Sequence, residues 1–127
     1  MAHLQRINYR PNTDNLNDSE KQYLQRHFDA YGAEIVINGD AIPWQTIDEV
    51  EVAKAARASG PAGWLVKTLV MNGAETYHVG IYFDHREAVL TNLTLNTAQY
   101  ILKNIAYYAP NLVRYMGPAD LIALTEN

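Results

Sequence analysis

The run Glu75-Thr76-Tyr77-His78-Val79-Gly80-Ile81-Tyr82-Phe83 constrains this chain more than any other stretch. Tyr77, Val79, Ile81 and Phe83 fall on one side of an extended backbone, and Thr76, His78, Gly80 and Tyr82 on the other. A period of two marks a half-buried strand. A strand with one apolar side needs neighbours and a cover, so an antiparallel sheet roofed on one face is expected.

Flanking segments supply the neighbours. Residues 33–38 alternate, with Ile35 and Ile37 opposite Glu34, Val36 and Asn38, and run into Asn38-Gly39, where a tight hairpin wants positive φ at both positions. The return Asp40-Ala41-Ile42-Pro43-Trp44 contains a proline, which predicts an edge strand or an early end. Residues 45–54 alternate again, with Ile47, Glu49, Glu51 and Ala53 predicted on one face and Asp48, Val50 and Val52 on the other. Residues 55–63 read as a loop, Trp64 to Met71 as a central strand, and Asn72-Gly73 as a second hairpin turn. Asp84-His85-Arg86 makes a third turn, followed by a strand over 87–93.

Two helices bracket these strands. Asn17 with Glu20 three residues on has the spacing of a capping box, and Tyr23, Leu24, Phe28 and Tyr31 recur at helical spacing with His27 on the same flank. This predicts a helix over 18–31, ended by Gly32. Asn96, with Gln99 three residues on, predicts the start of a second helix whose stripe is Ala98, Ile101, Leu102, Ile105 and Ala109, ended by Pro110. Pro118 opens a further short turn carrying Leu121, Ile122 and Leu124. Residues 1–16, polar and broken by Pro11, read as a flexible arm before a single α+β domain over 17–127.

Charge and composition exclude several functions. The formal charge is −4 and the basic residues are scattered, so neither nucleic acid nor a membrane surface is an expected partner. There is no cysteine, which removes thiolate catalysis, disulfides and zinc–thiolate sites. No secretory signal and no apolar run near the ~20 residues of a membrane span is visible, so a cytoplasmic location is expected.

The succession of a strand, an Asn-Gly turn, Ile42-Pro43-Trp44 and Ile47-Asp48-Glu49-Val50 resembles the opening of bacterial pleckstrin-homology-like (PH-like) domains, over residues 33–109. The resemblance implies a strongly bent antiparallel meander, a half-barrel closed by one C-terminal amphipathic helix. Family members that bind phosphoinositides place lysines and arginines around the first strand–strand loop. The corresponding Asn38-Gly39-Asp40 has no cation, so lipid binding, for which Lys54, Arg57 and Lys67 are the available cations, is not expected. What the resemblance leaves is a scaffold for protein contacts.

Catalytic signals are sparse. Asp84, His85, Arg86 and Glu87 are the densest ionisable set, but consecutive turn residues seldom converge on one point. His78 lacks a His-x-x-x-His partner, and Glu49 with Glu51 reads as a solvated acidic face. No phosphate loop and no nucleophile context is present, and no cofactor or metal is implied. Aromatic surface is the stronger signal. Tyr100, Tyr107, Tyr108 and Tyr115, with Met116, flank the last helix and its exit, and Trp64 stands beside the loop. Such side chains are enriched where proteins meet proteins. The sequence therefore favours a non-enzymatic domain for association with a protein partner or with itself as a homo-oligomer, in which Tyr107, Tyr108, Tyr115 and the 118–124 segment bury against a second copy and Trp64 is a further contact residue. The alternative is a small-ligand or catalytic pocket near His78, Tyr82 and His85.

Overall fold

Asn38 and Gly39 both take positive φ, 51° and 89°, and fold residues 28–43 into the first of two sheets. The computed structural model describes residues 10–54, 76–110 and 112–125. Helix α1 (Asp18–His27) leads directly into β1 (Phe28–Ala30), which pairs antiparallel with β2 (Glu34–Ile37), and β2 pairs with β3 (Asp40–Pro43). A 3-10 turn at Trp44–Thr46 then carries the chain into the second sheet. There β4 (Ile47–Lys54), β5 (Tyr77–Phe83) and β6 (Arg86–Leu93) pair antiparallel. Helix α2 (Leu95–Tyr108), strand β7 (Arg114–Met116) and helix α3 (Ala119–Ile122) follow, with β7 parallel to β4 and giving the order β6-β5-β4-β7.

The α+β class read from the sequence holds, and among the described residues the strands form two sheets that do not close into a barrel. The predicted stripe of α2 is buried throughout, and it shares one core with Ile35, Ile37 and Ile42 of the first sheet and Val50, Val52, Val79, Ile81, Leu90 and Leu93 of the second. The turn predicted at Pro118 is also present.

Four expectations need correction. Helix α1 stops at His27 rather than at residue 31, because Asn38 N–H donates to the His27 carbonyl and the hairpin draws Phe28–Ala30 into the sheet. The cap of α2 is Thr94, not Asn96: its hydroxyl accepts the Thr97 N–H at 3.2 Å. In β4 a register shift between Ile47 and Glu49 interrupts the alternation, so Ile47 is buried together with Val50 and Val52 instead of on the Glu49 side. Strand β5 is buried on both faces at His78 and Gly80, so it is more than half covered. Of the arm expected over 1–16, the described part packs on the domain, with Pro11 and Leu16 buried. The loop over 55–63, the strand over 64–71 and the turn at Asn72-Gly73 lie outside the described residues.

Three of the outer strands have some of their outward backbone groups held by local partners. Between β1 and β2 the bonds Tyr31 N–H to Glu34 O and Asn38 N–H to His27 O turn the backbone of Phe28 and Ala30 outward. Phe28 N–H is held by the Leu24 carbonyl, and Ala30 N–H by Asp29 Oδ1 at 2.9 Å. On β3, Pro43 has no N–H, and its carbonyl accepts the Thr46 hydroxyl at 2.7 Å. On β6, the Val89 carbonyl accepts Asn38 Nδ2 at 3.4 Å and the Thr91 carbonyl accepts the Tyr23 hydroxyl at 2.9 Å. Blunted edges resist strand addition by other chains. Among the described residues no side chain caps the outer edge of β7.

Candidate functional site

The histidines expected to mark a pocket are far apart. His78 lies near the start of β5, fully buried, and its Nδ1 accepts the backbone N–H of Asn92 at 3.3 Å. Asn92 sits in a bulge of β6 with φ 59°, where the pairing jumps from Tyr77–Leu93 to Val79–Leu90. His78 thus satisfies an amide that the ladder leaves over, and in the neutral ring the proton belongs on Nε2. Burial pushes its pKa down. His85 lies at the opposite end of β5, on the exposed hairpin tip, roughly 20 Å away by strand rise. It lines a shallow hollow of about 370 Å3 with Tyr82, Arg86 and Glu87, and His78 is not part of that hollow. The Arg86 guanidinium stands 5.4 Å above the Phe83 ring.

The acidic face of β4 is partnered rather than converged. Tyr82 hydroxyl donates to Glu51 Oε1 at 3.2 Å, and Arg114 of β7 lies 3.9 Å from Glu49 across the β4–β7 pair. Arg114 is well exposed, so that ion pair contributes little. Among the described residues no group of three His, Asp or Glu side chains is arranged to hold a metal ion. Among the same residues no helix is long and apolar enough to cross a membrane.

Tyr107, Tyr108 and Tyr115 fall into two groups. Tyr108 stacks on Trp44, with ring centroids 5.1 Å apart and planes 11° from parallel, and Tyr107 meets Tyr108 edge-on at 4.9 Å. Trp44 Nε1 donates to the Tyr31 carbonyl at 2.5 Å, so this indole ties the first sheet to the end of α2. Sequence marks Trp44 only as part of the Ile42-Pro43-Trp44 turn and not as a partner of Tyr108, which lies 64 positions away. Tyr115 belongs to the second group, on β7, where burial raises the pKa of its phenol. Beside it Leu112 is 65% exposed and Met116 37% exposed. Leu112, Tyr115 and Ile122 line an open hollow of about 800 Å3. Tyr107, Tyr108 and Tyr115 therefore do not form one patch: Tyr108 is committed to Trp44, and Tyr115 lies beside the exposed C-terminal side chains. Trp64, with Arg57 and Lys67, lies outside the described residues.

Sequence reasoning missed Leu112, a lone leucine between a proline and a basic residue with no period to mark it. Comparison with family models, with curated proteins and with solved structures gives no match for this chain.

Proposed function

We propose that this chain is a non-enzymatic association domain whose partner is a second copy of itself, joined at the face formed by β7 and its flanking residues. The observation that carries this reading is the contrast between edges. Strands β1, β3 and β6 each have one or two outward backbone groups held by local side chains or a helix, whereas among the described residues no such bond reaches β7, which lies beside the exposed Leu112 and Met116. A projecting leucine next to a hollow lined by Tyr115 and Ile122 suits an isologous contact, in which each copy supplies both knob and hole. The finer PH-like assignment belongs to the same proposal. It is supported by the Asn38-Gly39 hairpin, the Ile42-Pro43-Trp44 turn between sheets and the single long helix after the last antiparallel strand.

Light scattering after size exclusion tests the association. The wild type should pass from monomer towards dimer mass through the micromolar range, and Leu112→Asp should stay monomeric with an unchanged circular dichroism spectrum. A wild type that stays monomeric at high micromolar concentration overturns the proposal.

A further inference from the structure

Asn38 carries a chemistry that the β7 face does not use. It is followed by Gly39, which has no side chain to shield its backbone nitrogen, and both residues are exposed. A Cβ placed on Gly39 would meet no atom within 4 Å, so the turn is open on that side. An asparagine so placed can react with its own backbone, the next nitrogen attacking the side-chain Cγ.

The hydrogen bonds of Asn38 fix which end of its carboxamide is which. Nδ2 faces the Val89 carbonyl of β6 at 3.4 Å, and a carbonyl only accepts. Oδ1 therefore faces His27 Nδ1, 2.8 Å away, and that nitrogen must carry the proton. Two further contacts hold the histidine there: its ring centroid lies 4.5 Å from that of Tyr23, and its carbonyl accepts the Asn38 N–H at 2.9 Å. An N–H on Oδ1 draws electrons from Cγ and stabilises the oxyanion that forms when Cγ is attacked. The nitrogen that must depart is held by a bond longer than the usual range.

We infer that Asn38 is a site of self-modification assisted by His27. The Gly39 nitrogen bonds to Asn38 Cγ, its proton passes through solvent to Nδ2, and the Cγ–Nδ2 bond breaks to release ammonia. Water then adds across one of the two carbonyl–nitrogen bonds of the resulting cyclic imide, giving aspartate or isoaspartate. Either product loosens the first sheet from the second. With aspartate, an acceptor oxygen replaces Nδ2 in front of the Val89 carbonyl, and a bond gives way to two facing acceptors. With isoaspartate, the backbone runs through the side-chain carbon and lengthens the two-residue turn that sets Ile37 opposite Asp40.

Prolonged incubation of the folded full chain at neutral pH, followed by peptide mapping, tests the assignment. Asn38 should convert to a mixture of aspartate and isoaspartate. His27→Phe, which keeps a ring beside Tyr23 but offers no N–H, should slow that conversion about tenfold or more. His27→Gln, whose carboxamide restores a donor, should recover part of the rate. Asn38→Asp, which imitates one product, should melt at a lower temperature than the parent. An Asn38 that stays asparagine, a conversion equally fast in His27→Phe, or an Asn38→Asp chain that melts with the parent overturns the assignment.

Discussion

Thr94 donates its hydroxyl to Glu20 across 74 positions of sequence, so that a single carboxylate closes the caps of both long helices. Its other oxygen accepts the Asn17 N–H at 2.8 Å, completing the box in which Asn17 Oδ1 accepts Glu20 N–H. Thr94 in turn caps α2 through Thr97 N–H. Both helix N-termini thus converge on one buried carboxylate, and the partial positive charge of each end favours it.

Replacing Glu20 should therefore cost more than an ordinary cap. Glu20→Ala strips partners from the Asn17 amide and the Thr94 hydroxyl together, and a loss of about 2–3 kcal/mol in urea unfolding is expected. Thr94→Ala alone should cost about 1 kcal/mol. The two should couple in a double-mutant cycle by about 1 kcal/mol, and additive losses would show that the caps are independent.

The imidazole of His78 gives stability a pH dependence of known sign. Burial lowers its folded pKa below the usual value, so the unfolded chain takes up the proton first as pH falls. Its contribution is complete above about pH 6.5 and is lost as pH drops from there towards the folded pKa, at no more than about 1.4 kcal/mol per pH unit. His78→Asn keeps an acceptor for the Asn92 amide and removes the titration. Urea midpoints measured from pH 8 to pH 5 should fall less steeply for the variant, and parallel profiles would rule His78 out as the source.

The hairpin tip holds two non-glycine residues at positive φ, Asp84 at 51° and His85 at 62°. Asn-Gly meets that geometry with less strain, as it does at Asn38-Gly39. Asp84→Asn with His85→Gly should stabilise the fold by about 0.5–1 kcal/mol, a gain reduced by the added freedom of glycine when unfolded. A thermal midpoint that falls would mean that Asp84 or His85 makes contacts that outweigh the strain.

Much of this arrangement was readable locally, and the failures share a cause. The capping box at Asn17 and Glu20 is complete within four residues, and the α2 stripe repeats within one helix, so both were legible. Phe28 was misassigned because its spacing from Leu24 suits a helix, while the force that extends it comes from Ile35 and Ile37 in the hairpin. The faces of β4 were misdivided because the bulge at Ile47–Glu49 has no residue signature. The burial of Glu20 and the partnership of Trp44 with Tyr108 rest on contacts between distant segments, and no window of sequence contains them. Strand β7 has only three residues, too few to display a period.

Gly117 fixes β7 in place. Its φ is 145°, and a Cβ there would stand 2.6 Å from the Val52 carbonyl oxygen of β4. Gly117→Ala should lower stability by about 2 kcal/mol or more, through strained backbone and a clash that shifts the strand. A variant as stable as the parent would mean that β7 is not seated against β4 as described.

Hydrogen exchange of the backbone amides of Arg114, Tyr115 and Met116, followed from low to high micromolar protein, tests the β7 association most directly. If a second copy covers that strand, exchange there should slow as concentration rises, by at least about tenfold for amides newly bonded or buried. Rates at the capped strands β1, β3 and β6 should stay constant. Exchange at residues 114–116 that is independent of concentration, or slowing confined to β6 or β3, would contradict the assignment of β7 as the joining edge.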